Sequence, residues 1–197
     1  LELYMVINKA ESPQDKQRRL FKEFVKNKHI MIVDAQSYSR ATLSQTLTDL
    51  GTPISSIQLV ATFYEAQNLI AERCPDILIA EYDLEKGRCG IDLLAAQRTS
   101  NVTAKKSLFI LITGNTSQAA VARAAEEDVD GYILKPYTVD GLRNTIMRMA
   151  ISKAYPGDYT RKIEQGKEYL DNKEIDLADQ AFKDASNMDP TPSLEHF

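Results

Sequence analysis

The feature that most constrains this fold is an alternation repeated five times: a short apolar run, then a longer stretch with helical patterning. Ile30-Met31-Ile32-Val33 opens the series and has no polar residue on either alternate face. Such a strand must be covered on both sides, as in a parallel sheet between helical layers. Helical patterning follows from about Ser37 to Leu50, closed by Gly51. Ile57 to Ala61, Ile77 to Ala80, Leu108 to Ile112 and Tyr132 to Leu134 predict four further strands. The stretches Tyr64 to Arg73, Ile91 to Thr99, Ser117 to Glu127 and Val139 to Ala150 predict the helices after them. The expected fold is therefore α/β, a doubly wound five-stranded parallel sheet. Right-handed crossovers leave few topologies, and a common one is the flavodoxin-like strand order 2-1-3-4-5. Its ligand crevice lies where the order reverses, between strands one and three.

Helical segments flank this core. Residues 1–27 read as a helical extension, in which Ser12-Pro13-Gln14-Asp15 supplies an N-cap, a first-turn proline and an acid three residues after the cap. Leu20, Phe21, Phe24 and Val25 form one apolar stripe, and Lys16, Arg18, Arg19, Lys22 and Lys26 a solvated face. Residues 28–150 are the expected main domain and 151–158, with Pro156-Gly157-Asp158, a linker. Residues 159–190 predict two helices, about Tyr159 to Leu170 and Glu174 to Met188, split by Asp171-Asn172-Lys173. Residues 191–197 read as a tail in which Leu194-Glu195-His196 resembles a tag remnant.

Composition bounds the partners. A net charge of -4 over 197 residues gives no overall attraction to nucleic acid or anionic membrane. No apolar run approaches the ~20 residues of a membrane span, and no signal peptide is visible, so a cytoplasmic protein is expected. Cys74 and Cys89 lack metal-ligand spacing, and His29 and His196 are too few for a histidine-based metal or catalytic site.

Four polar residues fall at predicted strand ends: Asp34, Glu81, Thr113 and Lys135. In a parallel sheet these ends share one edge, so two carboxylates, a hydroxyl and an ammonium are expected to converge. Such a set suits a hard divalent cation and an anionic oxygen group.

The chain resembles the receiver (CheY-like) domain of two-component response regulators from about Lys28 to Ala150. The residues that carry the resemblance are Ile32-Val33-Asp34, Glu81, Leu111-Ile112-Thr113-Gly114 and Asp130-Gly131-Tyr132-Ile133-Leu134-Lys135-Pro136-Tyr137. The resemblance implies that Thr113 is the switch hydroxyl, Tyr132 the rotating aromatic and Lys135 the phosphoryl contact, with a cis Lys-Pro bond. Two positions depart from the family. Glu81 stands at the phosphoacceptor aspartate, and Ala35 at the second metal-binding acid. Magnesium would then rest on Asp34, and on Glu81, in a site weakened by Ala35. Phosphoryl transfer needs that metal and close alignment. Asp83 is a candidate compensating ligand or alternative acceptor in the same acidic pocket. Glu81 itself has two readings: a tolerated acid in an inactive pocket, or a carboxylate that pairs with Lys135 and accepts a hydrogen bond from Thr113 as a partial mimic of a phosphate.

The C-terminal pair of helices resembles one tetratricopeptide repeat through Gly166, Tyr169, Ala178, Phe182, Ala185 and Pro190, with Lys162 where that motif usually has tryptophan. The two small residues allow close helix approach, the aromatics fill the groove, and the proline ends the second helix. One repeat cannot bury its face alone, so further repeats or a docking partner are expected. The function expected is a non-enzymatic two-component adaptor with weak or no phosphorylation. Its expected partners are a sensor histidine kinase, a phosphotransfer protein or another receiver, with a further protein on the repeat. The alanine-rich stretch Ala119 to Ala125 suggests a homodimer face. The alternatives are a working receiver that uses Asp83, or a flavodoxin-like ligand-binding domain. Against the latter, Ala35-Gln36-Ser37-Tyr38-Ser39 contains no glycine to cradle a phosphate.

Overall fold

Within the N-terminal extension, the described residues form the expected capped helix. Helix α1 (Pro13–Val25) is capped by Ser12, whose side chain accepts the Asp15 N–H, and it buries Phe21 and Val25. The chain then runs through β1 (Ile30–Val33), α2 (Ser37–Asp49), β2 (Ile57–Val60), α3 (Phe63–Glu72) and β3 (Ile77–Glu81). A small hairpin follows, β4 (Asp83–Glu85) and β5 (Arg88–Cys89). After it come α4 (Asp92–Thr99), β6 (Leu108–Thr113), α5 (Gln118–Glu126), β7 (Gly131–Leu134) and α6 (Val139–Ala154). The last elements are α7 (Asp158–Asp171) and α8 (Ile175–Met188). This is a computed structural model, and it describes residues 11–85, 87–99, 107–127 and 129–188, leaving out the side chains of 118–121. Pro190, the tail 191–197 and the first ten residues lie outside the described residues.

The five long strands form one parallel sheet in the order β2-β1-β3-β6-β7, the expected doubly wound arrangement. Period-2 alternation divides its side chains between two cores. Ile30, Ile32, Ile77, Ile79, Leu108, Ile110, Ile112 and Ile133 pack under α1, α2 and α6, against Phe21, Leu43, Leu47, Ile146 and others. Met31, Val33, Val60, Leu78, Ala80, Phe109 and Leu111 pack under α3, α4 and α5, against Phe63, Ile70, Leu93 and Ala124 among others. Helix α1 is thus part of the first core rather than a loose extension.

Two elements differ from expectation. Helix α6 runs on to Ala154, into the segment expected to be a linker, because 151–154 contains neither glycine nor proline to stop it. The hairpin β4–β5 replaces an expected loop. It turns at Gly87, whose φ of 79° suits a residue without a side chain.

The chain divides into two compact units, residues 1–151 and 152–197. The second holds the helical hairpin α7–α8. Gly166 is buried, and a Cβ there would stand 2.5 Å from Phe182 Cε1, so the close approach of the helices requires glycine. Ala178, Ala181 and Ala185 line the buried face of α8. Tyr169 and Phe182 are half-buried, so they fill the groove only in part. Lys162 Nζ bonds Asp184 Oδ2 at 2.9 Å across the pair. The turn between the helices places Lys173 at φ 64°.

Candidate functional site

The charged groups meet at the carboxyl edge of the main sheet. Val33 of β1 lies beside Ala80 of β3, so Asp34 and Glu81 leave neighbouring strands one residue further on. Both continue the alternation of the core beneath α1, α2 and α6, and so does Lys135, two residues beyond Ile133. Lys135 Nζ donates to Asp34 Oδ2 at 3.0 Å and to Glu81 Oε2. Asp34 is 2% exposed and Glu81 9%. The remaining carboxylate oxygens are satisfied by backbone amides just past the strand ends. Gln36 N–H donates to Asp34 Oδ1 at 2.8 Å, and Asp83 N–H donates to Glu81 Oε1 at 3.3 Å. Arg40 Nη1 secures the loop after β1 by donating to the carbonyls of Asp34 (2.6 Å) and Ala35 (3.1 Å).

Burial alone pulls the Lys135 ammonium toward a lower pKa. The hydrogen bonds and negative charge of Glu81 and Asp34 outweigh it, so Lys135 stays protonated above the ordinary lysine range. The Lys135–Pro136 bond is cis, as the resemblance implies.

Thr113 and Tyr132 form a separate half of the edge. Thr113 has the opposite alternation, shared with Phe109 and Leu111, and is fully buried. Its Oγ1 accepts the Asn115 N–H at 2.9 Å, and Tyr132 donates its hydroxyl proton to the Asn115 carbonyl at 2.9 Å. The bond expected from the Thr113 hydroxyl to Glu81 is not made, and Thr113 Oγ1 serves as an acceptor for the loop after β6. Strand pleating turns Thr113 away from the face that carries Glu81. Burial first, then the negative neighbours Tyr82, Glu81 and Asp83, push the Tyr132 phenol up.

Asp83 also differs from expectation. It is exposed on β4, paired with Cys89, and it reaches the pocket through its backbone N–H rather than its carboxylate. The residues do not form a cation site in this arrangement. A divalent ion such as Mg²⁺ needs several free oxygens, whereas the two carboxylates here share an ammonium and Ala35 offers no third side-chain ligand. Among the described residues no group of three or more histidine, cysteine or acidic side chains is placed to hold a metal.

Sequence reasoning missed Arg40, Asn115 and the hairpin. Asn115 carried a readable signal: it lies two residues past the strand end, and its side chain accepts the Ser117 N–H at 3.0 Å in a turn typical of asparagine. Arg40 carried none, because its partners are main-chain carbonyls.

A family model, the response regulator receiver domain, matches residues 30–147. The chain is 32% identical over 117 residues to a probable chemotaxis protein CheY of Rhizobium etli, covering 59% of this chain and 88% of that one. It is 29% identical over 125 residues to chemotaxis protein CheY-3 of Vibrio cholerae, covering 61% and 90%. The crystal structure of a CheY-like receiver domain protein from Methanospirillum hungatei superposes with a TM-score of 0.55 at 22% identity, over 66% of this chain and 98% of that one. Among the described residues no helix is long and apolar enough to cross a membrane. With all five strand ends in the receiver order and the family match spanning the whole sheet, the chain belongs to the response regulator receiver domain family.

Proposed function

We propose that this chain is a cytoplasmic, non-enzymatic adaptor of two-component signalling whose receiver pocket is closed by its own side chains. The observation that carries the reading is Lys135 held between Glu81 and Asp34. Glu81 occupies the phosphoacceptor position with a longer side chain, and its carboxylate already takes the ammonium that would meet a phosphoryl group. Ala35 removes a carboxylate that phosphoryl transfer would use to hold its metal. The pocket thus rests in one charge state, and signalling proceeds by binding rather than by phosphate load. The partners of the receiver are a sensor histidine kinase, a phosphotransfer protein or another receiver, and a homodimer through α5 belongs to the same reading.

The hairpin α7–α8 serves as a tetratricopeptide-like repeat for a further protein. Its support is the close helix approach at Gly166 together with exposed Leu170, Ile175, Leu177 and Met188, 46–60% exposed. Apolar side chains left this open suit a face covered by a partner or by neighbouring repeats.

The test is incubation with acetyl phosphate, and separately with beryllofluoride, in the presence of magnesium. Intact mass spectrometry is expected to find no phosphorylated species, and the NMR signals of Tyr132 are expected to stay in place. Robust phosphorylation overturns the reading. Its loss in Asp83→Asn would then assign the acceptor to Asp83.

A further inference from the structure

The hairpin β4–β5 begins two residues past Glu81 and is anchored on two sides. On one side it grips the start of α3. Glu85 Oε1 accepts the Phe63 N–H at 3.1 Å, one of the first-turn donors that a helix cannot satisfy internally. Arg88 spreads its guanidinium over the rings of Phe63 and Tyr64, at 5.4 and 5.3 Å from their centroids, and donates to the Tyr64 hydroxyl at 3.1 Å. On the other side Asp92 joins the hairpin to α5. Its Oδ2 accepts the Cys89 N–H at 3.2 Å, and its Oδ1 pairs with Arg123. The base of the hairpin is pressed onto the backbone of Glu81. Gly90 N–H donates to the Tyr82 carbonyl at 2.7 Å, and a Cβ on Gly90 would stand 1.9 Å from the Glu81 carbonyl oxygen. Within this clamped segment lies Asp83, whose N–H holds Glu81 Oε1.

We propose that the β4–β5 hairpin is a positioning device for Glu81, with Arg88 as its pin. The hairpin fixes the Asp83 amide, the amide fixes one oxygen of Glu81, and the other oxygen is thereby aimed at Lys135. Arg88 acts through the hairpin and touches none of the pocket groups. A planar guanidinium suits this task because it stacks on aromatic faces and donates in its own plane, whereas a lysine ammonium is a point charge. The proposal rests on reading Glu81 as a fixed carboxylate. It adds the element that does the fixing and the means of loosening it.

Arg88→Ala and Arg88→Lys test the pin. Hydrogen exchange is expected to speed up at the Asp83 and Cys89 amides by about tenfold in both variants, while the β6 amides exchange as in the parent, the pattern of local rather than global opening. The NMR signal of the Glu81 carboxyl carbon is expected to shift at neutral pH in both variants, which a role confined to holding the hairpin would not cause. Exchange at Asp83 unchanged in Arg88→Ala, or fully restored in Arg88→Lys, overturns the proposal, as does an unmoved Glu81 carboxyl signal. The two readings fail separately. Labelling by acetyl phosphate with the faster Asp83 exchange intact sinks the closed-pocket reading and leaves the pin standing. Unchanged exchange in an unlabelled protein does the reverse.

Discussion

Two halves of the same sheet edge use opposite physics. One half, Asp34, Glu81 and Lys135, is charged, and every carboxylate oxygen in it has a donor. The other half, Thr113, Asn115 and Tyr132, is neutral and ties a loop to a strand end through two hydrogen bonds of 2.9 Å. The residues are close in sequence position along their strands but fall on opposite faces of the pleat. In the charged half the ammonium is already taken, so an anion would have to displace a carboxylate to reach it. The neutral half sets how the loop after β6 is held, and it can move without any change in charge.

The largest expected effect comes from removing the centre of the charged half. Lys135→Met leaves two buried carboxylates facing each other without a counterion. Its cost is expected to be about 3 kcal/mol, the low end for a broken buried pair because the Lys135 side chain is 24% exposed. Exchange of the β6 amides, which open only with the sheet, would measure it. The pH dependence carries the same test. The folded-state pKa of Lys135 lies above its ordinary value near 10.5, so the stabilisation is complete below that value and is lost as pH rises through the folded-state pKa. The parent should therefore lose stability in the alkaline range through this group, and Lys135→Met should lack that component. A variant as stable as the parent would mean that the trio is dispensable.

A smaller effect is expected in the neutral half. Thr113→Val keeps the shape, removes the acceptor of the Asn115 N–H and should cost about 1–2 kcal/mol in denaturant unfolding. Combined with Lys135→Met it should be additive to within about 0.5 kcal/mol, because no side-chain hydrogen bond joins the two halves and the main-chain bond from Lys135 N–H to the Thr113 carbonyl (2.7 Å) survives both substitutions. A larger coupling would break the separation drawn above. The smallest effect belongs to Tyr132→Phe, which removes one half-buried hydroxyl bond and should cost about 1 kcal/mol. The amides of the loop after β6 should exchange faster in it, with the Glu81 carboxyl signal unmoved.

Much of this was legible in the residues. The fully apolar runs Ile30 to Val33 and Leu108 to Ile112 announce a sheet covered on both faces, and the order of strand ends brings Asp34, Glu81 and Lys135 to one edge. The pairing of Glu81 with Lys135 was readable because both stand at strand ends and carry opposite charge. The bond expected between Thr113 and Glu81 was misread for want of pleat counting. Numbering the alternation from Phe109 and Leu111 puts Thr113 on the far face. The hairpin left a faint mark, Gly87 in a polar run between Leu84 and Cys89, but nothing in that run shows that Glu85 and Arg88 reach back to Phe63 and Tyr64.

What the sequence by itself determined is the set of elements, their order and the chemical groups at each strand end. Hydrophobic periodicity and local turn chemistry act over a few residues and can be read along the chain. Only the tertiary structure decided which oxygen meets which proton. Lys135 lies 101 residues from Asp34 and 54 from Glu81, and Arg88 lies 24 from Tyr64. Contacts at such separations depend on register, crossover and pleat together, because a shift of one residue in any strand would turn its side chain to the other face.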